Sequence, residues 1–236
     1  MIPMDTDFRL ISDDLLIRFQ TPRRVLSSAV LGGGFVNASF ILNHWIRKDV
    51  AINNPDLRCE LREQPARYLQ NLIRQLELEG IGVGLMTAVN IPKKLVVVRR
   101  NFQDIRVEGF FTVGVGNAIR AGDPTTDLEQ DGDRPIGTIN MILITNACLS
   151  DPAMVEAIQV ATEAKAAILL ESGIKSRVSS NPATGTGTDC TAVVSGQGQP
   201  VRYSGTHTKM GELIGRVVFE GVQEGLKRCN PNQGMQ

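Results

Sequence analysis

The chain of 236 residues carries 25 basic and 25 acidic side chains, so its formal net charge is zero. This balance argues against a nucleic acid or an anionic membrane surface as the main partner. Hydrophobic residues make up 42% of the sequence, which is enough for a sizeable core and excludes general disorder. No uncharged apolar run reaches the roughly 18 residues that a transmembrane helix needs.

The start of the chain is acidic and has no basic segment followed by an apolar core, which is unlike a signal peptide. The cysteines form no C-x-x-C pair and fit neither a zinc site nor a small disulfide scaffold. They are Cys59, Cys148, Cys190 and Cys229. We therefore expect a cytoplasmic protein with free thiols, with one domain over residues 1–236 and with the capacity to form homo-oligomers.

Short apolar runs divided by turn residues predict strands over 8–11, 15–19 and 25–30. A run of three glycines at 32–34 then breaks the pattern. It is either a flexible turn or a place where a large planar ligand meets bare backbone. His44 follows closely and is a candidate to contact such a ligand, although it could equally be an ordinary surface residue.

The middle of the chain begins with a predicted helix over 65–79, where apolar residues recur at i, i+3, i+4 and i+7. Strands are predicted over 81–89, 95–98 and 110–115. The glycine-rich segment 114–122 follows a strand, as a nucleotide-binding turn would. It is not G-x-G-x-x-G opening a clear helix, and no strand ending in an acidic residue follows at the right distance, so we reject a dinucleotide site.

The second half begins with an acidic loop, predicted over 123–135 to be exposed. A strand over 138–145 and a helix over 151–170 follow. An apolar run at 192–194 and a last helix over about 208–228 complete the predicted elements.

The last helix carries Gly211 and Gly215 four residues apart. Each glycine lowers helix propensity by up to about 1 kcal/mol, and close packing of the helix on a sheet would explain that cost. Strand-rich runs with three helices predict an α+β or α/β fold, with a mixed β-sheet sandwich flanked by helices.

The segment 181–190 reads Asn-Pro-Ala-Thr-Gly-Thr-Gly-Thr-Asp-Cys and supplies hydroxyls, a thiol and a carboxylate. Ser204, His207 and Lys209 lie shortly after it. A Thr, Ser or Cys becomes a nucleophile when a base removes its proton, and His is the natural base at neutral pH. The segment could also be only a turn before a strand.

The identity of the nucleophile stays open at this level, because Thr186, Thr188, Cys190, Ser204 and water are all candidates. We rank Thr186 and Thr188 first, since they sit between or beside glycines where the backbone can be exposed. The partner residues are assigned in the same provisional way: Asp189 orients His207 or activates water, His207 transfers the proton, and Lys209 stabilises the oxyanion, neutralises Asp189 or only forms a salt bridge.

Five segments together resemble the adenosylcobinamide amidohydrolase family of corrinoid-salvage enzymes. They are SNPATGTGTDC (180–190), YSGTHTKMGELIGR (203–216), VLSSAVLGGGF (25–35) with Asn43-His44, VGVGNA (113–118) with Arg120-Ala-Gly, and GTINMILITN (137–146). They occur in the order expected, and the resemblance covers roughly residues 20–225.

The resemblance implies hydrolysis of the amide between the corrin ring and the aminopropanol arm of adenosylcobinamide, with the corrinoid as substrate and no metal or organic cofactor. It implies a set of substrate-binding residues made of glycines and polar side chains in these segments. They are Gly32, Gly33, Gly34, Asn37, His44, Asn117, Asn140, Asn146, Gly185, Gly187 and Ser204. For Asn140, a structural hydrogen bond within a buried strand is the leading alternative.

Two other functions stay open. A corrinoid-binding or trafficking protein without hydrolysis would suit the same glycines and polar groups. The order of strand, Asp-Pro helix and Gly-Thr-Gly-Thr-Asp loop is also similar to self-processing aminopeptidases and ornithine acetyltransferases. That second resemblance implies a four-layer αββα sandwich and chain cleavage that exposes an N-terminal nucleophile.

Overall fold

The computed structural model describes residues 6–124 and 137–229, so most of the predicted loop 123–135 lies outside the described residues. The strands are β1 (Thr6–Ile11), β2 (Asp14–Ser27), β3 (Gly34–Trp45), β4 (Gly82–Thr87), β5 (Val96–Phe102), β6 (Ile105–Val113), β7 (Ala118–Ile119), β8 (Ile139–Thr145), β9 (Cys148–Leu149), β10 (Gly185–Thr186), β11 (Cys190–Val194) and β12 (Pro200–Val201). The helices are α1 (Lys48–Asn53), α2 (Pro55–Glu63), α3 (Pro65–Gln75), α4 (Ile91–Lys94), α5 (Asp151–Glu171) and α6 (Lys209–Cys229).

Eight strands form one mixed sheet in the order β4-β3-β2-β11-β8-β6-β5, with β1 paired to β2. The β3–β4 and β11–β8 pairs are parallel, and the other pairs of this sheet are antiparallel. Two short ribbons, β10–β7 and β12–β9, lie beside it. The fold is therefore of the α+β class, as the sequence predicts.

The sheet doubles back on itself at β2. Its register against β3 shifts between Arg18 and Arg23, and such an irregularity bends a strand and increases its twist. Phe8 of β1 consequently reaches Phe110 of β6, with ring centroids 4.9 Å apart. The two parts of one sheet thus face each other like the two sheets of a sandwich.

Three apolar layers follow from this arrangement. The first lies between α5, α6 and one face of β6, β8 and β11. The second lies between the opposite face of those strands and β2, β3 and β4. The third lies between β2, β3 and the end of α3. The order of helices, sheet, sheet and helix is the predicted αββα arrangement.

The sequence patterns miss β3 and the short helices α1, α2 and α4. β3 alternates apolar and polar residues only over 36–40; from Phe40 to Asn43 it is buried on both faces, and Asn43 puts a polar residue at a buried position, so its period changes along the strand. α2 has no buried residue and hence no apolar stripe. Its start was still readable, because Asn54 accepts from the Leu57 amide at 3.0 Å and Pro55 follows it. No helix in the described part of the chain is long and apolar enough to cross a membrane.

Candidate active site

A cavity of about 650 Å³ opens where the parallel strands β8 and β11 begin. This volume falls within the range that is usual for small-molecule sites. The lining combines apolar side chains with hydroxyl, amide and acidic groups. It is made by Ser28, Val30, Ile46, Leu61, Arg62, Pro65, Leu85, Met86, Thr87, Ala88, Asn117, Gly137, Thr138, Gly187, Thr188, Asp189 and Cys190.

Asp189 joins the glycine-rich loop to the start of β8. Its Oδ1 accepts from the amide of Ile139 at 2.9 Å and from the hydroxyl of Thr186. Its Oδ2 accepts from the Thr186 amide at 3.0 Å and from Nζ of Lys165 at 2.5 Å. Both carboxylate oxygens are therefore occupied, and the group serves as an anchor for the loop.

Lys165 is the partner of Asp189 and comes from α5. The side chains of the pair are only 9% and 12% exposed. Gly185 packs against both of them, because a Cβ at this position would lie 2.5 Å from Asp189 Oδ2 and 3.0 Å from Lys165 Nζ. A residue with a side chain does not fit there without displacing the ion pair.

The hydroxyls of Thr138 and Thr188 lie 2.7 Å apart. Thr138 donates to the carbonyl of Gly137 at 2.8 Å, and Thr188 is 3.2 Å from the same oxygen. Thr188 is exposed and lines the cavity, whereas Thr138 is buried. When Thr138 donates to Gly137, Thr188 can donate to Thr138, which leaves the Thr188 lone pairs available to a ligand.

Thr186 differs from Thr188 although both belong to the same loop. It is buried in β10, its amide and hydroxyl are both bonded to Asp189, and it does not line the cavity. Of the two threonines that the sequence ranks equally, the geometry favours Thr188 as the one that a substrate can reach.

Cys190 lines the cavity beside Asp189 but is buried. Burial, with a smaller contribution from the Asp189 charge, raises the pKa of its thiol to about 11, and a hydrogen bond with Ser28 partly opposes this. The thiol is therefore protonated at neutral pH, and a protonated thiol is a poor nucleophile.

Asn117 and Gly137 meet at another part of the lining. A Cβ on Gly137 would lie 2.5 Å from Oδ1 of Asn117, so only glycine allows this approach. Within the described residues, Asn117 Oδ1 is buried without a hydrogen-bond partner. The predicted contribution of Asn117 to substrate binding is compatible with this position.

The other predicted binding residues divide by position. Gly185 and Gly187 belong to the loop that lines the cavity. Asn140 lies in the core next to it, where its amide nitrogen donates to Asn43 Oδ1 and to the Met86 carbonyl, both at 2.9 Å. Four other predicted binding residues lie in or near the β2–β3 connection and are not part of the lining. They are Gly32, Gly33, Gly34 and Asn37.

His44 has structural partners on the α3 side of the sheet. Its Nδ1 is 2.8 Å from Asp14 Oδ2, and its Nε2 is 3.0 Å from the hydroxyl of Tyr68. Burial, followed by the charge of Asp14, raises the pKa of Tyr68, so the phenol stays protonated at neutral pH. His44 does not line the cavity, and the array ties α3 to β2 and β3.

The structure corrects the predicted pairing of Asp189 with His207 and Lys209. Ser204 donates to the carbonyl of Ala153 at 2.5 Å, whereas Asp189 contacts Lys165 on the same helix. The stretch of α5 between those two positions spans about 18 Å at 1.5 Å per residue. Ser204 is fully buried away from the cavity.

His207 and Lys209 share that distant end of the molecule. Both are exposed. Lys209 pairs with Glu212 and lies over the ring of Phe102. Asn146 is also remote, because it accepts from the Arg106 amide at the start of β6 and donates to the Asp104 carbonyl just before that strand. None of these residues lines the cavity.

The sequence analysis missed Lys165, Thr138 and Arg62. Lys165 carried a signal, since it lies four residues after Ala161 and three before Ile168 on the buried face of α5. A lysine in such a stripe requires a partner. Thr138 and Arg62 had no comparable signal. Among the described residues, no three His, Cys, Asp or Glu side chains converge as a metal site would require.

The fold and the cavity define an α+β protein with a small-molecule site built from threonine hydroxyls around an anchored carboxylate. Comparison with known families gives the more particular result. The chain belongs to the adenosylcobinamide amidohydrolase family, whose model matches residues 5–234.

The chain is also similar to individual proteins, of which one carries the name of this family. The chain is 35% identical over 232 residues to the uncharacterized protein MJ1613 of Methanocaldococcus jannaschii, covering 90% of this chain and 85% of that one. It is 29% identical over 210 residues to an adenosylcobinamide amidohydrolase of Methanosarcina mazei, covering 85% of this chain and 88% of that one. A solved β-aminopeptidase of Burkholderia sp. matches at TM-score 0.46 and 11% identity, over 93% of this chain and 79% of that chain.

Proposed function

We propose that the protein hydrolyses the amide bond between the corrin side chain and the aminopropanol arm of adenosylcobinamide. The products are adenosylcobyric acid and 1-amino-2-propanol. Membership of the family and the named relative from Methanosarcina mazei support this proposal. The observation that carries it is the cavity of about 650 Å³ lined by the accessible Thr188 beside Thr138.

Thr188 is the nucleophile in this proposal. Its Oγ1 attacks the amide carbonyl carbon, and in one concerted relay its proton passes to Thr138 while the Thr138 hydroxyl proton passes to the departing amine nitrogen. The C–N bond breaks, and the corrin side chain remains on Thr188 as an ester. Water then hydrolyses the ester, which yields the carboxylic acid and restores the hydroxyl.

The tetrahedral oxyanion needs donors near Thr188. Within the described residues, the backbone amides of Gly187 and Thr188 have no hydrogen-bond partner, and both residues are exposed at the cavity. We assign the oxyanion to these amides. A water molecule as direct nucleophile is the alternative, although Asp189 already accepts four hydrogen bonds and has no free oxygen with which to activate it.

We place the aminopropanol arm near the threonine hydroxyls and the corrin ring against apolar side chains of the lining, Val30, Leu61 and Pro65. The corrinoid is the substrate, and the proposal invokes no metal or organic cofactor. Burial of an apolar ring edge on these side chains would supply binding free energy, while the polar groups of the cavity orient the amide.

The test is to incubate the purified protein with adenosylcobinamide and identify both products by chromatography and mass spectrometry. Thr188→Val should abolish product formation. Thr162→Val is the matched control, because Thr162 is exposed on α5 and bonds only to the Ile158 carbonyl of its own helix. Absence of product at every pH, with and without added divalent metals, would contradict the proposal.

The same experiment separates two other functions. An absorbance change on adding cobinamide, without any product, would select a corrinoid-binding protein. A self-processing peptidase or acyltransferase would give two fragments on denaturing mass analysis, split within residues 185–188. Gly187 and Thr188 are exposed in a turn, which makes this the accessible place for such a cleavage, and an intact chain would weaken that alternative.

A further inference from the structure

The buried ion pair between Lys165 and Asp189 is not explained by folding alone. Desolvating two charges offsets most of their mutual attraction, and apolar replacements of such pairs are often as stable. The side chains are 9% and 12% exposed, and Gly185 is needed to leave them room. The pair lies directly beside the cavity, because Asp189 is part of its lining.

Asp189 connects the residues that flank both hydroxyls of the site. On one side it follows Thr188 directly and binds the amide and hydroxyl of Thr186, which closes the loop around Thr188. On the other side it binds the amide of Ile139, the residue after Thr138. One carboxylate therefore fixes the backbone beside each member of the Thr138–Thr188 pair, whose oxygens are 2.7 Å apart.

Lys165 affects the cavity only indirectly, through Asp189. It contacts Asp189 Oδ2 at 2.5 Å but is not part of the cavity lining. It comes from α5, which packs on the sheet through buried residues on the same face, including Ala161 and Ile168. The lysine thus ties the loop to the rigid core and holds the carboxylate in the orientation that its other three donors require.

We propose that Lys165 is a positioning residue, which through Asp189 holds the Thr188 hydroxyl against Thr138 in the geometry needed for attack. The proposal rests on the proposed function for its kinetic test. A second readout, covalent modification of Thr188 by a fluorophosphonate probe, reports on the same hydroxyl without the corrinoid.

The experiment compares wild type, Lys165→Met and Lys227→Met, an exposed lysine near the end of α6 that serves as control. Misplacement of a reacting group by about 1 Å costs about 10²-fold in rate, so we expect kcat of Lys165→Met to fall by about that factor. KM should change little, since Lys165 does not line the cavity. The rate of Thr188 labelling should fall in parallel with kcat, and Lys227→Met should match wild type in both.

Lys165→Met leaves a buried carboxylate without its cation, which can destabilise the fold. The double variant Lys165→Met with Asp189→Asn removes both charges and should recover stability by circular dichroism. Its kcat and labelling rate should nevertheless stay low. The donors from Ile139 and Thr186 now bind both carboxylate oxygens of Asp189, whereas an asparagine offers a single acceptor oxygen. A folded single or double variant with wild-type kcat and labelling would overturn the proposal.

The two proposals fail differently. Labelling of Thr188 in wild type that is lost in Lys165→Met, together with no hydrolysis of adenosylcobinamide, would support the positioning role and contradict the substrate. Hydrolysis that Lys165→Met retains would support the substrate and contradict the positioning role. A wild-type protein with neither labelling nor hydrolysis would overturn both, because there would be no reactive hydroxyl to position.

Discussion

Thr186 and Thr188 occupy one loop but make different contacts, and a pair of matched variants distinguishes them. Thr188→Val removes the accessible hydroxyl and should lower kcat by about 10³-fold or more, as expected for loss of a nucleophile. Thr186→Val removes one hydrogen bond to Asp189, worth about 1 kcal/mol, and should cost much less activity. Steady-state turnover of adenosylcobinamide measures both, with Thr162→Val as control. Full turnover in both loop variants would favour attack by water.

For His207 we predict the opposite result, a substitution that leaves activity intact. Because its ring is exposed and outside the cavity lining, we expect His207→Ala to fold normally and to keep near-wild-type kcat. Loss of a general base would instead cost about 10²-fold or more. A loss of that size in a folded protein would mean that the distant end of the molecule approaches the cavity during turnover.

The raised pKa of Cys190 predicts how alkylation of its thiol depends on pH. Its pKa is raised from 9.0 to about 11, so the reactive thiolate is scarce below that pH and increases as the pH rises toward it. In the native protein, iodoacetamide at about pH 8 should modify the exposed Cys148 and spare Cys190. Peptide mass spectrometry across a pH series gives both rates in one sample. Equal rates for the two cysteines near neutral pH would show that Cys190 is not desolvated.

The residues that are contiguous in sequence could be predicted, and their distant partners could not. Thr188, Asp189 and Cys190 form part of the cavity because one loop carries them. The partner of Asp189 comes from another element, 24 residues earlier, and no local pattern joins them. The expected partner His207 is closer in sequence to Asp189 than Lys165 is, yet it lies at the other end of α5.

At the level of elements, two glycines of α6 show whether the close packing of this helix requires the absence of a side chain. A Cβ on Gly221 would lie 2.2 Å from the buried ring of Phe111, whereas a Cβ on Gly215 would meet only Val160 at 3.7 Å. Overpacking costs about 1–3 kcal/mol, which exceeds the gain of up to about 1 kcal/mol from replacing a helical glycine by alanine. Gly221→Ala should therefore destabilise the protein, and Gly215→Ala should stabilise it.

Thermal or urea unfolding of these two variants gives opposite signs within one helix, so each serves as the control for the other. A stabilised Gly221→Ala protein would mean that Phe111 moves freely. The structure also corrects the sequence interpretation that Gly211 and Gly215 allow α6 to pack closely on a sheet. Gly211 is required by the backbone of the preceding loop, where a Cβ would lie 2.1 Å from the Gly205 carbonyl, and Gly215 is not required by packing.

Helices with a continuous apolar stripe were predictable, and elements without one were not. α3, α5 and α6 bury one face each, so their period of 3.6 is visible in the sequence. α2 buries no residue, and β3 carries an asparagine, Asn43, at a buried position where an apolar residue is expected. The side chain of Asn43 has its partners on two distant strands, Thr112 of β6 and Asn140 of β8, so no local pattern accounts for it.

At the level of the whole molecule, the sequence predicted the class of fold but not how one sheet supplies both layers of the sandwich. Strand propensity is local, whereas the bend in β2 and the pairing of β2 with β11 join segments more than 160 residues apart. The two facing parts share the second apolar layer, and a polar network crosses that layer. Asn140 of β8 donates to Asn43 of β3 at 2.9 Å, and Asn43 donates to Thr112 of β6 at 3.3 Å.

This network makes Asn140 a test of whether the two layers depend on each other. Asn140→Ala leaves Asn43 Oδ1 and the Met86 carbonyl without the donor they now share. A buried group left unsatisfied costs about 1–3 kcal/mol. The free energy of unfolding should therefore fall by at least about 1 kcal/mol in urea, with an unchanged m-value because the surface exposed on unfolding is the same. Asn101→Ala, on the exposed part of β5, should leave stability unchanged. A stable Asn140→Ala protein with a raised KM for adenosylcobinamide would instead assign this side chain to the substrate.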